Sequence, residues 1–128
     1  MNGKYLVDTN VVIRLLRSDV RSVELFDNAE EISIPITVAG ELFYGAQNST
    51  RKQENLDIFN DFLSQYEVIE VCVGVAHIYG EVKAQLKRDG ITIPENDIWI
   101  AAIAKYHDYT LISFDTHFSK IAGLRVLS

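Results

Sequence analysis

Two carboxylates follow runs of residues that have the composition of buried strands. Asp8 comes directly after the apolar run 5–7, and Asp115 lies two residues past the end of the run 110–113. In an open α/β sheet, ligands bind beyond the carboxyl ends of the parallel strands. We therefore expect Asp8 and Asp115 to face the same edge of the sheet, where a carboxylate has no hydrophobic role.

Two further acids lie in segments with helical patterns. Asp97 falls in the first turns of a predicted helix, 94–107, where the positive end of the helix dipole favours the ionised carboxylate. Glu41 lies inside another predicted helix, 38–47, close to apolar neighbours. A charged side chain near a buried face is costly unless it is paired or bound to a metal. The type and position of these residues favour a functional role.

Four carboxylates with few cations nearby indicate a site for a hard divalent cation. Ligand sets made only of oxygen favour Mg²⁺ or Mn²⁺ over zinc. A bound ion removes the repulsion between like charges, and it activates water for phosphoryl or phosphodiester cleavage. Position alone also allows a structural interpretation, in which Asp8 and Asp97 cap helices and Asp115 is a turn residue.

The elements that must position these acids alternate between short β-like runs and longer helical ones. The sequence predicts strands at 5–7, 32–34, 68–73, 110–113 and 124–127. It predicts helices from about residue 10, then at 20–28, 38–47, 51–65, 75–88 (ended by Gly90) and 94–107, with a short helix at 116–121. Strands that alternate with helices imply a parallel sheet covered on both faces, which is an α/β fold.

N-cap residues can be proposed from the sequence for two of these helices. Thr37 is the expected N-cap of the helix at 38–47. For the helix at 94–107, either Asn96 is the cap or Thr92 and Glu95 form a capping box, and the residues do not decide between them. The core of this last helix, 98–104, is apolar on all sides, so we expect it to be buried, with Trp99 filling the core.

Length, charge and cysteine content narrow the classes of function. The chain has 128 residues, which fits a single domain over 1–128, and its net charge is −6. That charge argues against a broad surface for coating nucleic acid, since phosphate contacts need Lys and Arg. The single cysteine, Cys72, is expected to pack in the core, in a protein of the reducing cytoplasm. No apolar run approaches the roughly 18 residues of a membrane span.

Four segments resemble, in order, the four motifs of PIN-domain ribonucleases. These segments are LVDTNVVI at 6–13, ITVAGELFYGA at 36–46, NDIWIAA at 96–102 and TLISFD at 110–115 together with Phe118. Each motif is weak alone, but together they span nearly the whole chain. The only departure is mild: Ser113 stands where Thr is commoner in the family, and the hydroxyl is retained. The compact length and the segment ELFYGA resemble most the VapC-type toxins of bacterial and archaeal toxin–antitoxin pairs.

The resemblance implies a PIN-like three-layer α/β/α domain and an endoribonuclease that uses Mg²⁺ or Mn²⁺. Asn10 and Ser113 match positions that help to order the site. The resemblance further implies a homodimer, with no membrane association, held inactive by a VapB-like antitoxin whose tail enters the site groove. The acids that would be both catalytic and metal-binding are Asp8, Glu41, Asp97 and Asp115.

Three arginines add a candidate binding surface. Arg14, Arg17 and Arg21 are spaced by three and four residues, so they share a face if one helix continues that far. Arg14 and Arg17 would then contact RNA phosphates or the acidic part of an antitoxin. If the helix ends first at 18–19, the arginines form an ordinary solvated surface.

The histidines show no spacing typical of metal ligands. We expect His77, His107 and His117 to have surface or packing roles, and only His117 lies close in sequence to a candidate acid, two residues past Asp115.

Functions of other classes remain as alternatives. A receiver-like module phosphorylated on Asp needs a paired acid early in the chain and a late Lys, and neither is found. A hydrolase with an Asp-x-Asp nucleophile needs a second carboxylate at position 10, which is Asn. A PIN fold that acts only by binding is the remaining alternative, and it would bind Mn²⁺ without cleaving RNA.

Overall fold

A parallel sheet lies at the centre of the computed structural model, which describes residues 3–128. Within that range the strands are β1 Lys4–Val7, β2 Glu31–Pro35, β3 Glu67–Ile69, β4 Thr110–Ile112 and β5 Val126–Leu127. Their order is β3-β2-β1-β4-β5, and each neighbouring pair is parallel. The predicted α/β fold with a central parallel sheet is confirmed.

Helices connect the strands and flank the sheet. Over residues 3–128 they are α1 Thr9–Leu16, α2 Val20–Asn28, α3 Ile36–Gln47, α4 Lys52–Leu63, α5 Val73–Arg88 and α6 Glu95–His107, followed by a 3₁₀ helix, Thr116–Lys120. The chain moves outward from β1 to β3 and then returns to β4 on the other side of β1. This reversal creates a crevice beyond the carboxyl ends of β1 and β4, which is where α/β sheets bind ligands.

The core is densest around β1, β4 and α6. Leu6 and Val7 of β1 and Leu111 and Ile112 of β4 are fully buried. Each such aliphatic side chain contributes about 1.5–3 kcal/mol through burial. On α6 the predicted burial is confirmed for the residues Ile98, Ile100, Ala101, Ala102, Ile103 and Ala104. Three of the candidate acids therefore lie on or shortly after these buried elements: Asp8 after β1, Asp97 on α6 and Asp115 after β4.

Trp99 differs from its neighbours on α6. It is only half-buried, and its ring stacks on Tyr79 of α5 with 3.9 Å between ring centroids. The expectation that Trp99 fills the core is confirmed in part, since the indole packs against the core but stays partly exposed between α6 and α5.

Predicted strand 68–73 is too long at its carboxyl end. β3 stops at Ile69, and Cys72 becomes the residue that precedes α5. Cys72 is exposed, so the prediction that it packs in the core is wrong. Its apolar neighbours Val71 and Val73 are exposed as well, because the chain has already left the sheet.

Both predicted helix caps are wrong for the same reason. Pro35 is the N-cap of α3 and Pro94 the N-cap of α6, and neither helix has a side-chain cap. A proline has no N–H to satisfy and favours the extended conformation seen at both positions, so a helix can start directly after it. Thr37 lies within the first turn of α3, and its hydroxyl has no hydrogen-bond partner among the described residues.

The end of α5 agrees with the sequence prediction. Gly90 follows the C-cap Asp89 with a positive φ of 70°, and the next N–H, that of Ile91, donates to Leu86 O at 2.9 Å. This is the hydrogen-bond pattern of a Schellman motif, in which glycine is favoured because it has no Cβ.

None of the helices described between residues 3 and 128 has the length and apolar character needed to cross a membrane.

Candidate active site

Asp8 is the most deeply placed acid of the candidate site. It follows β1 directly and is the N-cap of α1, and it is 5% exposed. Its Oδ1 accepts the N–H of Thr9 at 2.8 Å, and its Oδ2 accepts the hydroxyl of Ser113 at 2.9 Å. The pKa of Asp8 is raised to about 6, mainly by burial and in smaller part by the charges of Asp97 and Glu41, against the opposing effect of these hydrogen bonds.

Glu41 reaches the same place from α3. The hydroxyl of Thr9 donates to Glu41 Oε1 at 2.9 Å, so one residue holds Asp8 through its backbone and Glu41 through its side chain. The two acids are 33 positions apart in the sequence, and Thr9 joins them because α1 and α3 pack against each other.

Ser113 connects the acids that follow β1 and β4. Its hydroxyl donates to Asp8 and accepts the backbone N–H of Asp115 at 3.0 Å. Asp115 then precedes the 3₁₀ helix, and its Oδ1 accepts the N–H of His117 at 2.9 Å. A single buried hydroxyl therefore positions one carboxylate directly and the backbone of another.

Asp97 projects from the first turn of α6. Its N–H donates to Pro94 O at 3.0 Å, so the backbone is helical at this point. Burial raises the pKa of Asp97, and so do the charges of Asp115 and Glu41, while a hydrogen bond from His117 opposes this. Asp97 does not cap α6, so the structural interpretation does not account for it, although Asp8 and Asp115 do cap helices.

The four acids surround one cleft with a volume of about 410 Å³. Asn10 lies on its wall as well, and Ser113 lies behind Asp8. The cleft opens at the carboxyl edge of β1 and β4, as the strand pattern predicts. The residues that line it are Asp8, Thr9, Asn10, Glu41, Pro94, Glu95, Asn96, Asp97, Asp115 and His117.

These residues fit a divalent cation. The cleft presents carboxylates from four separate parts of the chain, and the pKa values of Asp8 and Asp97 are raised because burial opposes their negative charge. A cation bound among them would balance the negative charge that burial disfavours. Carboxylate oxygens are ligands that suit Mg²⁺ and Mn²⁺.

The arginines are arranged differently from the proposed helix face. α1 ends at Leu16, and Ser18 has a positive φ of 62°, so Arg21 belongs to the next helix. Arg14 lies over the ring of Phe114, 4.9 Å from its centroid, and Arg17 lines a neighbouring apolar groove. Of the two alternatives, the helix thus ends first, and the three arginines do not share a face of one helix. Neither Arg14 nor Arg17 is among the described residues that line the acidic cleft.

Two residues of the site were missed or misjudged from the sequence. Thr9 has only its position after Asp8 as a signal, because its partner Glu41 is distant in sequence. His117 was expected at the surface or in packing, but its Nδ1 lies 3.1 Å from Asp97 Oδ2 and 3.0 Å from Asp115 Oδ1. Only the folding of α6 against the 3₁₀ helix brings this ring to the acids.

Comparison with known proteins agrees with the fold. The model of the PIN domain family matches residues 5–124. Ribonuclease VapC2 of Haemophilus influenzae is 33% identical over 127 residues, covering 95% of both chains. The tRNA(fMet)-specific endonuclease VapC of Shigella flexneri is 30% identical over 125 residues, again covering 95% of both chains.

Two solved structures of VapBC are similar to this chain over nearly its full length. VapBC2 from Rickettsia felis, bound to a DNA fragment from its promoter, superposes with a TM-score of 0.86 at 29% identity, covering 97% of both chains. DNA-bound VapBC from Salmonella typhimurium superposes with a TM-score of 0.90 at 27% identity, covering 99% of this chain and 98% of the other. On the fold, the family match and these similarities, the chain belongs to the PIN-domain family and, within it, to the VapC ribonucleases.

Proposed function

We propose that this protein is a metal-dependent endoribonuclease that acts as the toxin of a toxin–antitoxin pair. The observation that carries the proposal is the convergence on one cleft of four carboxylates, from the end of β1, from α3, from α6 and from the segment after β4. The names of the similar proteins support cleavage of RNA, and the VapBC complexes support an antitoxin partner. The proposed substrate lies in the cytoplasm, where we expect the protein to act.

In the proposed reaction the four acids would hold Mg²⁺ or Mn²⁺. The chemistry supplied by such an ion would be a lower pKa for a water molecule and neutralisation of charge on the phosphate. The residues of the chain fix the geometry beforehand: Ser113 and the N–H of Thr9 orient Asp8, and the hydroxyl of Thr9 orients Glu41. Groups held in place before the substrate arrives need no reorganisation during the reaction. Asn10, at the wall of the cleft, is proposed to order the site or contact the substrate.

RNA binding by this protein is proposed to depend on the metal. The net charge of −6 includes the four acids of the cleft, and two Mg²⁺ ions would reduce that charge to −2. The remaining surface does not offer the excess of Lys and Arg that tight nonspecific binding requires. We therefore expect weak, selective binding of RNA, with Arg14 and Arg17, which lie outside the cleft, as candidate phosphate contacts.

The test is an RNA cleavage assay with purified protein in EDTA, Mg²⁺ or Mn²⁺. Asp8→Asn and Asp97→Asn should lower the cleavage rate by about 100-fold or more, because losing even a residue that supports a metal ligand costs about 10–100-fold. Asp27→Asn is the matched control, since Asp27 is an exposed acid on α2, away from the cleft. The RNA panel includes the initiator tRNA, because the relative in Shigella flexneri is named for that substrate.

Two results would contradict the proposal. Equal cleavage by wild type, Asp8→Asn and Asp97→Asn would show that the acids are not catalytic. Binding of Mn²⁺ without cleavage of any RNA would instead support a PIN fold that acts by binding.

An apolar groove beside the acids suits the proposed antitoxin. It has a volume of about 430 Å³, and its apolar wall includes Leu16, Ile58 and Phe59. Thr9 and Glu41 line both this groove and the acidic cleft. A partner segment lying in the groove would thus end at the catalytic acids and block them.

Co-expression tests the partner and the assembly. A short open reading frame beside this gene, encoding a VapB-like antitoxin, should relieve the toxicity of the induced protein and purify with it. We also propose a homodimer, so light scattering of the toxin alone should give the mass of two chains. Failure of the antitoxin to bind, or a monomer at micromolar concentration, would contradict the respective part of the proposal.

A further inference from the structure

The ring of His117 lies between two of the four acids. Its Nδ1 is 3.1 Å from Asp97 Oδ2 and 3.0 Å from Asp115 Oδ1. One donor atom from each of these three residues lies within 4.8 Å of the others. The side chains of the two acids are mostly buried, and the imidazole is 39% exposed. The three donor atoms therefore come together at the mouth of the cleft.

The backbone places the ring here. The N–H of His117 donates to Asp115 Oδ1, which fixes the start of the 3₁₀ helix, and the next residue, Phe118, is fully buried. The backbone of His117 is thus fixed beside Asp115, and its ring lies against Asp97 in the first turn of α6. A side chain placed in this way is part of the site and not a mobile surface group.

A proton on Nδ1 shared between the two carboxylates would account for both separations. If Nδ1 instead carries its lone pair, it faces two carboxylate oxygens, and a cation bound by all three atoms would relieve their repulsion. Neighbouring ligands of an octahedral ion lie about 3 Å apart when each bond is about 2.1 Å, so both separations from Nδ1 have the length that ligands of one ion show.

We propose that His117 is a nitrogen ligand of the metal site and makes the site prefer Mn²⁺ to Mg²⁺. This inference rests on the proposed function, since it assigns a further ligand to the same cleft. Both ions bind carboxylate oxygens well, but Mn²⁺ accepts an imidazole nitrogen more readily than Mg²⁺, which dehydrates reluctantly and retains water. A water molecule can replace the imidazole on Mg²⁺ at little cost, but replacing it on Mn²⁺ loses a stronger bond.

The direct test is pulsed electron paramagnetic resonance of the Mn²⁺-loaded protein. A coordinated imidazole gives nuclear modulation from ¹⁴N, and we expect this signal in the wild type and its absence in His117→Ala. His77→Gln is the control, because His77 is exposed on α5 and should leave the signal unchanged. No ¹⁴N modulation in the wild type, or modulation that persists in His117→Ala, would overturn the proposal.

Metal affinities give a second measurement that does not depend on activity. In His117→Ala the Kd for Mn²⁺ should rise by about 10–100-fold, while the Kd for Mg²⁺ should rise by less than about 3-fold. His117→Asn checks the fold, because it keeps a polar group near the position of Nδ1 but has no ring nitrogen. Equal weakening of both metals would mean that the histidine only orients the carboxylates, and it would overturn the proposal.

RNA cleavage by the same samples separates this inference from the proposed function. If the wild type cleaves RNA with Mn²⁺ and Asp8→Asn does not, the function stands whatever the ¹⁴N result. If Mn²⁺ binds with ¹⁴N modulation but no RNA is cleaved, the ligand assignment stands and the proposed function fails.

Discussion

At the scale of single residues, the site depends on hydroxyl groups that hold carboxylates. Thr9 holds Glu41, and Ser113 holds Asp8 together with the backbone of Asp115. Each hydroxyl lies next to a candidate acid in the sequence or in the sheet, so the orientation of the acids is set before any ligand binds. Two predictions test the electrostatics and the geometry of this arrangement.

The raised pKa of Asp8 predicts a pH-dependent stability of the metal-free protein. The folded state binds the Asp8 proton up to about pH 6, whereas the unfolded chain releases it near the ordinary value of 3.8. Between these values the free energy of unfolding falls as pH rises, because the folded state must then bury a charge. In Asp8→Asn the side chain at this position stays neutral, so its free energy of unfolding does not fall in this way as pH rises.

Denaturant unfolding of both proteins in EDTA, from pH 3.5 to pH 7, measures this effect. The stability of the wild type relative to Asp8→Asn should fall by up to about 3 kcal/mol over that range, at 1.36 kcal/mol per pKa unit. A difference that stays constant, or that favours the wild type more at pH 7, would contradict the assignment of a raised pKa to Asp8.

The Thr9 hydroxyl is predicted to matter for activity. Thr9→Val keeps the shape of the side chain but leaves Glu41 without its donor, so cleavage should slow by about 10-fold or more. Thr9→Ser keeps the hydroxyl and should stay within about 3-fold of the wild type. The comparison is made at saturating metal, with thermal melts to confirm folding, and equal rates for the two variants would remove Thr9 from the site.

At the scale of elements, a glycine inside α5 and a glycine just past its end have opposite predicted behaviour. Gly90 has a φ of 70° and Gly80 lies inside the helix, and a Cβ on either would have open space around it. The difference between them is therefore conformational and not steric. Gly90→Ala places an L-residue in the left-handed region, and Gly80→Ala adds a better helix former.

Gly90→Ala should thus lower the free energy of unfolding by about 1–2 kcal/mol. Gly80→Ala should raise it by up to about 1 kcal/mol. Denaturation of the two variants beside the wild type gives both values, and a stabilised Gly90→Ala protein would mean that the end of α5 is not formed as described.

At the scale of the whole molecule, negative charge and folding are linked through the cleft. The chain carries a net charge of −6, and its four site acids come from widely separated parts of the sequence. Folding therefore concentrates charge that the unfolded chain keeps apart. A cation bound only by the folded state offsets that repulsion and stabilises the protein by mass action.

Metal addition should accordingly raise the melting temperature of the wild type. At a Mn²⁺ concentration of 100 times the Kd, the stabilisation is about 2.7 kcal/mol. Asp97→Asn should lose most of this shift, while Asp27→Asn, outside the cleft, should keep it. The measurement is a thermal melt at pH 7 with and without metal, and an equal shift in both variants would place the ion elsewhere.

Much of the fold could be predicted because its signals are local. Apolar runs, helical spacing and Gly90 depend on neighbours within a few residues, and they located every strand and helix that the structure shows between residues 3 and 128. Errors arose where the local signal was ambiguous: Thr37 is a good N-cap by type, but Pro35 ends β2 and starts α3 in one step. Cys72 has apolar neighbours, but the sheet has ended before it.

The sequence by itself determined the chemical type of the site, since the four acids and their motifs can be recognised one segment at a time. Only the tertiary structure decided which residues contact the acids. It placed the hydroxyl of Thr9 on Glu41 and that of Ser113 on Asp8. It also placed Arg14 over Phe114 and His117 beside Asp97. The physical reason is that these contacts join residues whose separation in space depends on how helices pack on the sheet, and no local pattern encodes that distance.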